Sequence, residues 1–434
     1  MRILQTRLFF SFKNLFFLII PLFVLAGCSS SGGHNAEPWK VGSTNQRPAV
    51  ETPSDLSVAT VEQQNLDAPA LRQNGSTVKV AILLPLSGQH AKLGENMLNA
   101  AQIALFDIGF DQFELLPKDT KGTPQGAKEA AKEALKDNAQ LVLGPVFSHS
   151  VRAARQVTQS AGINMIAFST DWTLANKHTF LIGFLPFDQI DRVVRYAAGA
   201  GYGRIGALSP RDNYGDAVMS AYNASAQSLG IQTTKAERIS PKGKGLTPIM
   251  RAFSNYDARK NQPQNTMRQN LPFDAVLMPV GGSTARQIGS FLNHYDLPPR
   301  AVRRLGTGLM DDQLLAKDKT LEGTWFAAPS PNTRAKFERR YQLTFGGKPA
   351  RIASLAYDAT ALAAILGRLG LEKGGIPAYD YTSITNPNGF AGVDGIFRFR
   401  QDGISERGLA VLEYRKGQII VVDRAPRTFQ NRGY

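Results

Sequence analysis

The 434-residue chain has one cysteine, five histidines and three tryptophans, and it is short of acids, with 35 Asp and Glu against 50 Lys and Arg. One thiol excludes a disulfide within the chain and any thiolate metal cluster. His34, His90, His149, His178 and His294 do not fall at metal-ligand spacing on a helix, so no metal and no cofactor is expected. Ser148 and His149 are neighbours, but adjacent helical residues point about a hundred degrees apart, and no G-x-S-x-G elbow surrounds them. An enzyme is therefore not expected. Gly201-Tyr202-Gly203-Arg204-Ile205-Gly206 spells G-x-G-x-x-G. A strand begins inside it at Arg204, so it reads as the turn that ends a helix and not as a dinucleotide fingerprint. The acid deficit gives a net charge of +15. With no basic block interleaved with aromatics, that charge reads as a soluble basic surface, and nucleic acid is not an expected partner.

Long apolar runs are also scarce. Leu15 to Leu25 is too short for a comfortable membrane span. It follows Arg2, Arg7 and Lys13 and leads into Leu25-Ala26-Gly27-Cys28. That order of charge, apolar run, small residues and cysteine resembles a bacterial lipobox. The resemblance implies a signal peptide over 1–27 and a mature chain starting at Cys28, lipidated on sulfur and acylated on its amine. Loss of the leader removes three cations and no acid, which leaves +12. Several acyl chains give stable anchoring where one does not. Ser29 to Ser76 is rich in Ser, Gly, Asn, Gln and Pro without a sustained period, so 28–76 is expected to be a disordered tether. Ser29 after the cysteine resembles the pattern sorted to the outer membrane in enteric bacteria.

The folded part is organised around Val78 to Asp107. Lys79 to Leu84 is a short apolar run closed by Pro85, the signature of a strand covered on both faces. Leu86-Ser87-Gly88 turns the chain, and Met97, Leu98, Ala101, Ala104 and Leu105 recur at helical spacing. A loop between strand end and helix start is where open α/β sheets bind ligands. The unit repeats. Phe113 to Pro117, Leu141 to Leu143, Ile163 to Phe168 and Phe180 to Ile182 read as strands, with helices over Thr123 to Asn138 and from Ser148. After Pro186 the alternation restarts, with strands at Arg204 to Leu208, Gln232 to Ile239 and Ala275 to Met278. Ala335 to Phe345 and Ile352 to Leu369 then read as helices, and Val393 to Phe399 and Leu409 to Val422 as antiparallel strands turning at Lys416-Gly417. The expected fold is α/β, with two Rossmann-like lobes of parallel sheet and flanking helices.

Over about residues 77–425 the motifs VAILLPLSG, LVLGPVFSHS, INMIAFSTD and NYGDA resemble the type I periplasmic binding proteins of the leucine/isoleucine/valine-binding family. The combination of LLPLSG, LLPKDTKGTP, LGPVFS, IAFSTDW and GFLP behind a lipobox resembles more closely the lipoprotein family of penicillin-binding-protein activators. Those outer-membrane lipoproteins stimulate a class A peptidoglycan synthase. Better-studied members carry a helical-repeat domain ahead of this fold, where this chain has only the tether.

The resemblance implies that the chain crosses between lobes about three times, near Gly183 to Phe187, Ala327 to Pro331 and Gly389 to Gly392. Lobe 1 is then 77–187 plus 332–389, and lobe 2 is 188–331 plus 390–425, with a basic tail over 426–434. It places Ser148 and the loop Ser169, Thr170 and Asp171 at the seat of a ligand carboxylate, with Tyr214 closing the cleft from the other lobe and Ser87 in the first strand-end loop. Asp171 stands where a hydroxyl residue would assist, and its charge would repel a ligand carboxylate by about a few kcal/mol. The acid that meets the ligand amine would fall near Gly306-Thr307-Gly308, where none stands, although Asp311 and Asp312 lie close behind. Free branched-chain amino acids are expected to bind poorly. The basic group Lys242, Lys244, Arg251, Arg259, Lys260 and Arg268 reads as a solvated face, and its functional version is a docking patch for an acidic protein surface or the wall polymer. The expected function is non-enzymatic: a lipoprotein anchored on the periplasmic face of the envelope, at the outer membrane, regulating peptidoglycan synthesis through a penicillin-binding protein. The alternative is capture of an amino acid or other small solute for an ABC importer.

Overall fold

The computed structural model describes residues 77–263 and 270–429. The leader, Cys28, the tether, Arg268 and the end of the basic tail lie outside the described residues. Five parallel strands, β1 (Val78–Leu84), β2 (Phe113–Asp119), β3 (Leu141–Leu143), β4 (Met165–Ala167) and β5 (Thr179–Leu181), form one sheet in the order β2-β1-β3-β4-β5. Alternate residues of β1 serve opposite faces, as a period of two requires. Val80, Ile82 and Leu84 pack with Met97, Ala100 and Ala104 of helix α1 (Ala91–Ile108) and with the helix Ala353–Gly374. Ala81 and Leu83 pack with Ala127, Ala130 and Val151 of α2 (Pro124–Lys136) and α3 (Ser148–Ser160).

The second sheet repeats the winding. β6 (Arg204–Pro210), β7 (Gln232–Ile239), β8 (Ala275–Leu277), β9 (Arg303–Gly306) and β10 (Trp325–Ala328) are parallel in the order β7-β6-β8-β9-β10. Helices α4 (Pro186–Gly199) and α5 (Asn213–Leu229) cover one face through Val193, Val194, Val218 and Tyr222. Between Gly199 and Arg204 the chain makes the expected helix-ending turn, with Gly201 at φ 91. Both sheets seat a helix start tightly on a strand end. A Cβ on Gly94 would stand 2.1 Å from the Pro85 carbonyl oxygen, and one on Gly215 would stand 1.8 Å from that of Pro210.

The chain end departs from the expected division. Strands β11 (Phe390–Gly392), β12 (Gly395–Phe399) and β13 (Ser405–Arg407) form a separate antiparallel sheet. Phe390, Phe397 and Phe399 are buried in the core of the first lobe, where Phe399 meets Phe180 with ring centres 5.5 Å apart. The N–H of Leu181 donates to the Gly403 carbonyl at 2.8 Å, which fixes this sheet to the free edge of β5. Residues 390–407 thus belong with lobe 1, and the third crossing follows Arg407 instead of falling at Gly389 to Gly392. Only then does β14 (Ala410–Arg415) join β10 antiparallel and pair with β15 (Gln418–Asp423). Their turn is at Lys416 and Gly417, both at positive φ, as the sequence predicts.

Candidate functional site

A cavity of about 810 Å³ opens where strand ends of the two lobes meet. Phe147, Ser148 and Ser169 to Trp172 line it from the first lobe, and Asp212 to Tyr214, Gly281, Thr284, Leu309 and Asp311 from the second. The crossings supply its floor, with Gly183 to Pro186, Pro329, Ser405 and Arg407. This is the switch-point position at which open α/β sheets leave a crevice.

Of the residues singled out in the sequence, Ser148, Ser169, Thr170, Asp171 and Tyr214 come together on this cavity. Ser148 is the first residue of α3, and the first bond of that helix is from the Val151 N–H to the Phe147 carbonyl, 2.9 Å. The N–H groups ahead of it are those that a helix start leaves for a ligand or solvent. Ser169 Oγ accepts the Asp171 N–H at 3.1 Å. Asp171 Oδ1 accepts the Thr173 hydroxyl at 2.6 Å, and Oδ2 faces Arg152 Nη2 at 3.4 Å. The repulsion expected from this carboxylate is therefore offset by its own counter-ion. Tyr214 shares a hydrogen bond of 2.9 Å with the Thr307 hydroxyl, and burial pushes its pKa up to about 12, so it stays neutral.

Ser87 lies elsewhere. Its hydroxyl donates to Asp119 Oδ2 at 2.6 Å, and Asp119 Oδ1 also accepts the N–H groups of Leu86, Ser87 and Lys121. It ties the end of β1 to the end of β2. His149 turns from Ser148, with Nε2 3.1 Å from the Gly122 carbonyl and its ring stacked on Phe147.

At the amine end, Asp311 reaches the cavity but holds Arg334 Nη1 at 2.5 Å, and Arg334 also meets Glu338 at 3.0 Å. The Gly308 N–H donates to Gln189 Oε1 at 2.7 Å. The basic patch is smaller than expected. Asp257 pairs with both Arg251 (2.6 Å) and Lys260 (3.1 Å), while Arg259 is buried, donating to the Ser254 and Tyr295 carbonyls. Lys242 and Lys244 remain exposed.

Two residues that sequence reasoning did not select also line the cavity. The guanidinium carbons of Arg351 and Arg407 lie 4.3 and 5.0 Å from the centre of the same ring, Phe184. Arg407 donates through Nη2 to the Ile182 carbonyl at 2.8 Å, and its backbone N–H donates to Asp188 Oδ2 at 2.8 Å. Behind them sit Asp358, 3.7 Å from Arg407, and Asp394, 3.2 Å from Arg351. Ser354 Oγ donates to Asp394 at 2.6 Å, and the Val393 N–H to Asp358 at 2.7 Å. Burial raises the Asp358 pKa against the pull of Arg407. Among the described residues no cluster of His, Asp and Glu is placed to hold a metal ion, and no helix is long and apolar enough to cross a membrane.

Two doubly wound lobes with a cavity at their strand ends define the class of bilobal ligand-binding proteins. The chain belongs to the periplasmic binding protein family, which residues 77–418 match. It is 22% identical over 310 residues to a Leu/Ile/Val-binding protein of Rhizobium johnstonii, covering 69% of this chain and 80% of that one. Its fold is similar to a structure from Rhodospirillum rubrum described as belonging to a branched-chain amino acid ABC transporter, with TM-score 0.68, 18% identity and coverage of 80% of this chain and all of that one. It is also similar to a solute-binding protein of Rhodopseudomonas palustris in complex with 3,4-dihydroxybenzoic acid, with TM-score 0.57, 17% identity and coverage of 81% and 97%. The family is one of substrate-binding proteins, which are not enzymes.

Proposed function

We propose that the protein is a non-enzymatic envelope lipoprotein, held at the periplasmic face of the outer membrane through Cys28, that regulates peptidoglycan synthesis by activating a penicillin-binding protein. The observation that carries this reading is the internal pairing of the acid that stands nearest to where an amino-acid carrier would meet its ligand's amine. Asp311 is taken by Arg334. The body of a binding protein is kept while its acid for a ligand amine is engaged. The motifs from LLPLSG to GFLP behind the lipobox support the same direction. A lipid and a tether confine the domain near the membrane, so a weak partner contact gains from effective concentration. Crosslinking in the native envelope is expected to capture a peptidoglycan synthase, and adding the purified protein to that synthase is expected to speed glycan or crosslink formation. Unchanged synthase rates at saturating protein would sink the reading.

A second reading, capture of a small solute for an importer, is favoured by the size of the cavity and by its lining from both lobes. Cavities of about 300–1,000 Å³ are the range in which small ligands are held, and closure about the three crossings would bury one. The test is a ligand that stabilises the fold and is then handed to a transporter.

A further inference from the structure

We infer that the buried charge cluster beneath the lobe crossings is a proton-operated hinge, in which ionisation of Asp358 draws Arg407 onto it and so turns one lobe against the other. The inference rests on the fold alone, whichever partner or ligand the domain takes.

Arg407 is where two crossings meet. Its backbone N–H donates to Asp188 at the start of α4, in the second lobe, while its Nη2 donates to the Ile182 carbonyl beyond β5, in the first. Arg192 of α4 donates through Nε to the Leu409 carbonyl at 3.0 Å, so the chain leaving Arg407 is tied to α4 as well. A shift of Arg407 is thereby passed to α4 and to the sheet that α4 covers.

The guanidinium has a contact left to make. Its Nε and Nη1 have no hydrogen-bond partner, nor has Asp358 Oδ2, and Nη1 stops 3.7 Å short of that oxygen. The two side chains are 3% and 0% exposed, so solvent does not supply what is missing. An approach of about 1 Å would make the bond and relieve two buried, unpaired groups. Charge balance says which protonation state the observed arrangement suits. Asp358, Asp394 and Asp188 act on Arg407 from three sides, with Arg351 as the second cation. Asp394 is held by Arg351 at 3.2 Å and by the Ser354 hydroxyl, and Asp188 by the Arg407 N–H. With a proton on Asp358, two carboxylates face two guanidinium groups. Nearby, Tyr357 of the helix Ala353–Gly374 is engaged by Asp107, and Arg334 by Asp311. Gly392 walls the carboxylate, since a Cβ there would stand 2.6 Å from Asp358 Oδ2. Burial, opposed by Arg407 and reinforced by Asp394, raises the Asp358 pKa to about 7. Once ionised, Oδ2 demands a donor, and the unused nitrogens of Arg407 face it. The two lobe arrangements then bind the proton unequally, and pH shifts their populations.

The test is an inter-lobe distance followed against pH. Spin labels go on Gln125→Cys near the start of α2 and on Lys244→Cys beyond β7, both exposed, in the full-length chain with its one native thiol removed by Cys28→Ser. The distance, read by double electron–electron resonance from about pH 5 to 9, is expected to change by about 2 Å or more in one transition centred within about a unit of neutrality. Asp358→Asn is expected to keep the low-pH distance throughout, and Asp394→Asn, which removes a like charge, to move the midpoint to lower pH. A distance that ignores pH overturns the inference. So does a transition that survives in Asp358→Asn, because another group then carries it. Should neither variant fold, the infrared band of a buried protonated carboxyl in the chain with Asp358 and Asp394 intact decides. It is expected to vanish with the midpoint of the distance change, and a band that persists or is absent throughout overturns the inference.

Discussion

Ser87 shows how a residue selected as a site candidate serves the scaffold instead, by holding the carboxylate of Asp119. Partial burial works against its charged form, but the Ser87 hydroxyl and the N–H groups of Lys121, Leu86 and Ser87 outweigh it and lower its pKa. A carboxylate held low in the fold stabilises at neutral pH and loses that contribution as pH falls through its folded value. Ser87→Ala is therefore expected to cost about 1 kcal/mol by chemical denaturation at neutral pH, less in strong acid, and nothing in ligand affinity. Asp358 has the opposite sign. Burial raises it, so the fold keeps a proton that the unfolded chain releases near 3.8. Stability then falls as pH rises from that value toward neutrality, and Asp358→Asn is expected to flatten that part of the profile. The Arg351–Arg407–Phe184 group had no legible sequence signal. Its members and their partners Asp358 and Asp394 are joined only by the fold, and no period or spacing links them.

At the scale of elements, the strands and helices were largely legible because each apolar run has only one way to be buried. β1 feeds both faces of its sheet, and Thr123 caps α2 by accepting the Gly126 N–H. What sequence could not decide was which lobe a three-residue strand joins, since strands of both lobes read alike. Phe390, Phe397 and Phe399 settle it by their burial against Phe180. The seats of α1 and α5 give a prediction at this scale. Gly94→Ala or Gly215→Ala drives a methyl group into backbone oxygen at 2.1 or 1.8 Å. Each is expected to cost about 2 kcal/mol or more through displacement of a helix start, read as a lower denaturation midpoint. Gly109, whose Cβ would meet nothing within 4 Å, has φ 55 and reports backbone strain alone.

For the molecule as a whole, the lobes and the cavity were legible from the alternation of strand and helix, whereas the position of the third crossing was not. The pairing of Asp311 with Arg334 gives a prediction that involves the entire fold. A ligand at a hundred times its dissociation constant stabilises by about 2.7 kcal/mol, a shift of several degrees. Leucine, isoleucine and valine at millimolar concentration are instead expected to leave the melting temperature within about 1 °C; a dose-dependent rise would contradict the pairing argument. The little sheet on β5 sets an order of events during biosynthesis. The amino-terminal half cannot close its interior with its own residues, because Phe180 waits for an aromatic partner more than two hundred positions downstream. A nascent chain released early would expose that aromatic surface, and maturation of the first lobe is bound to arrival of residues 390–407.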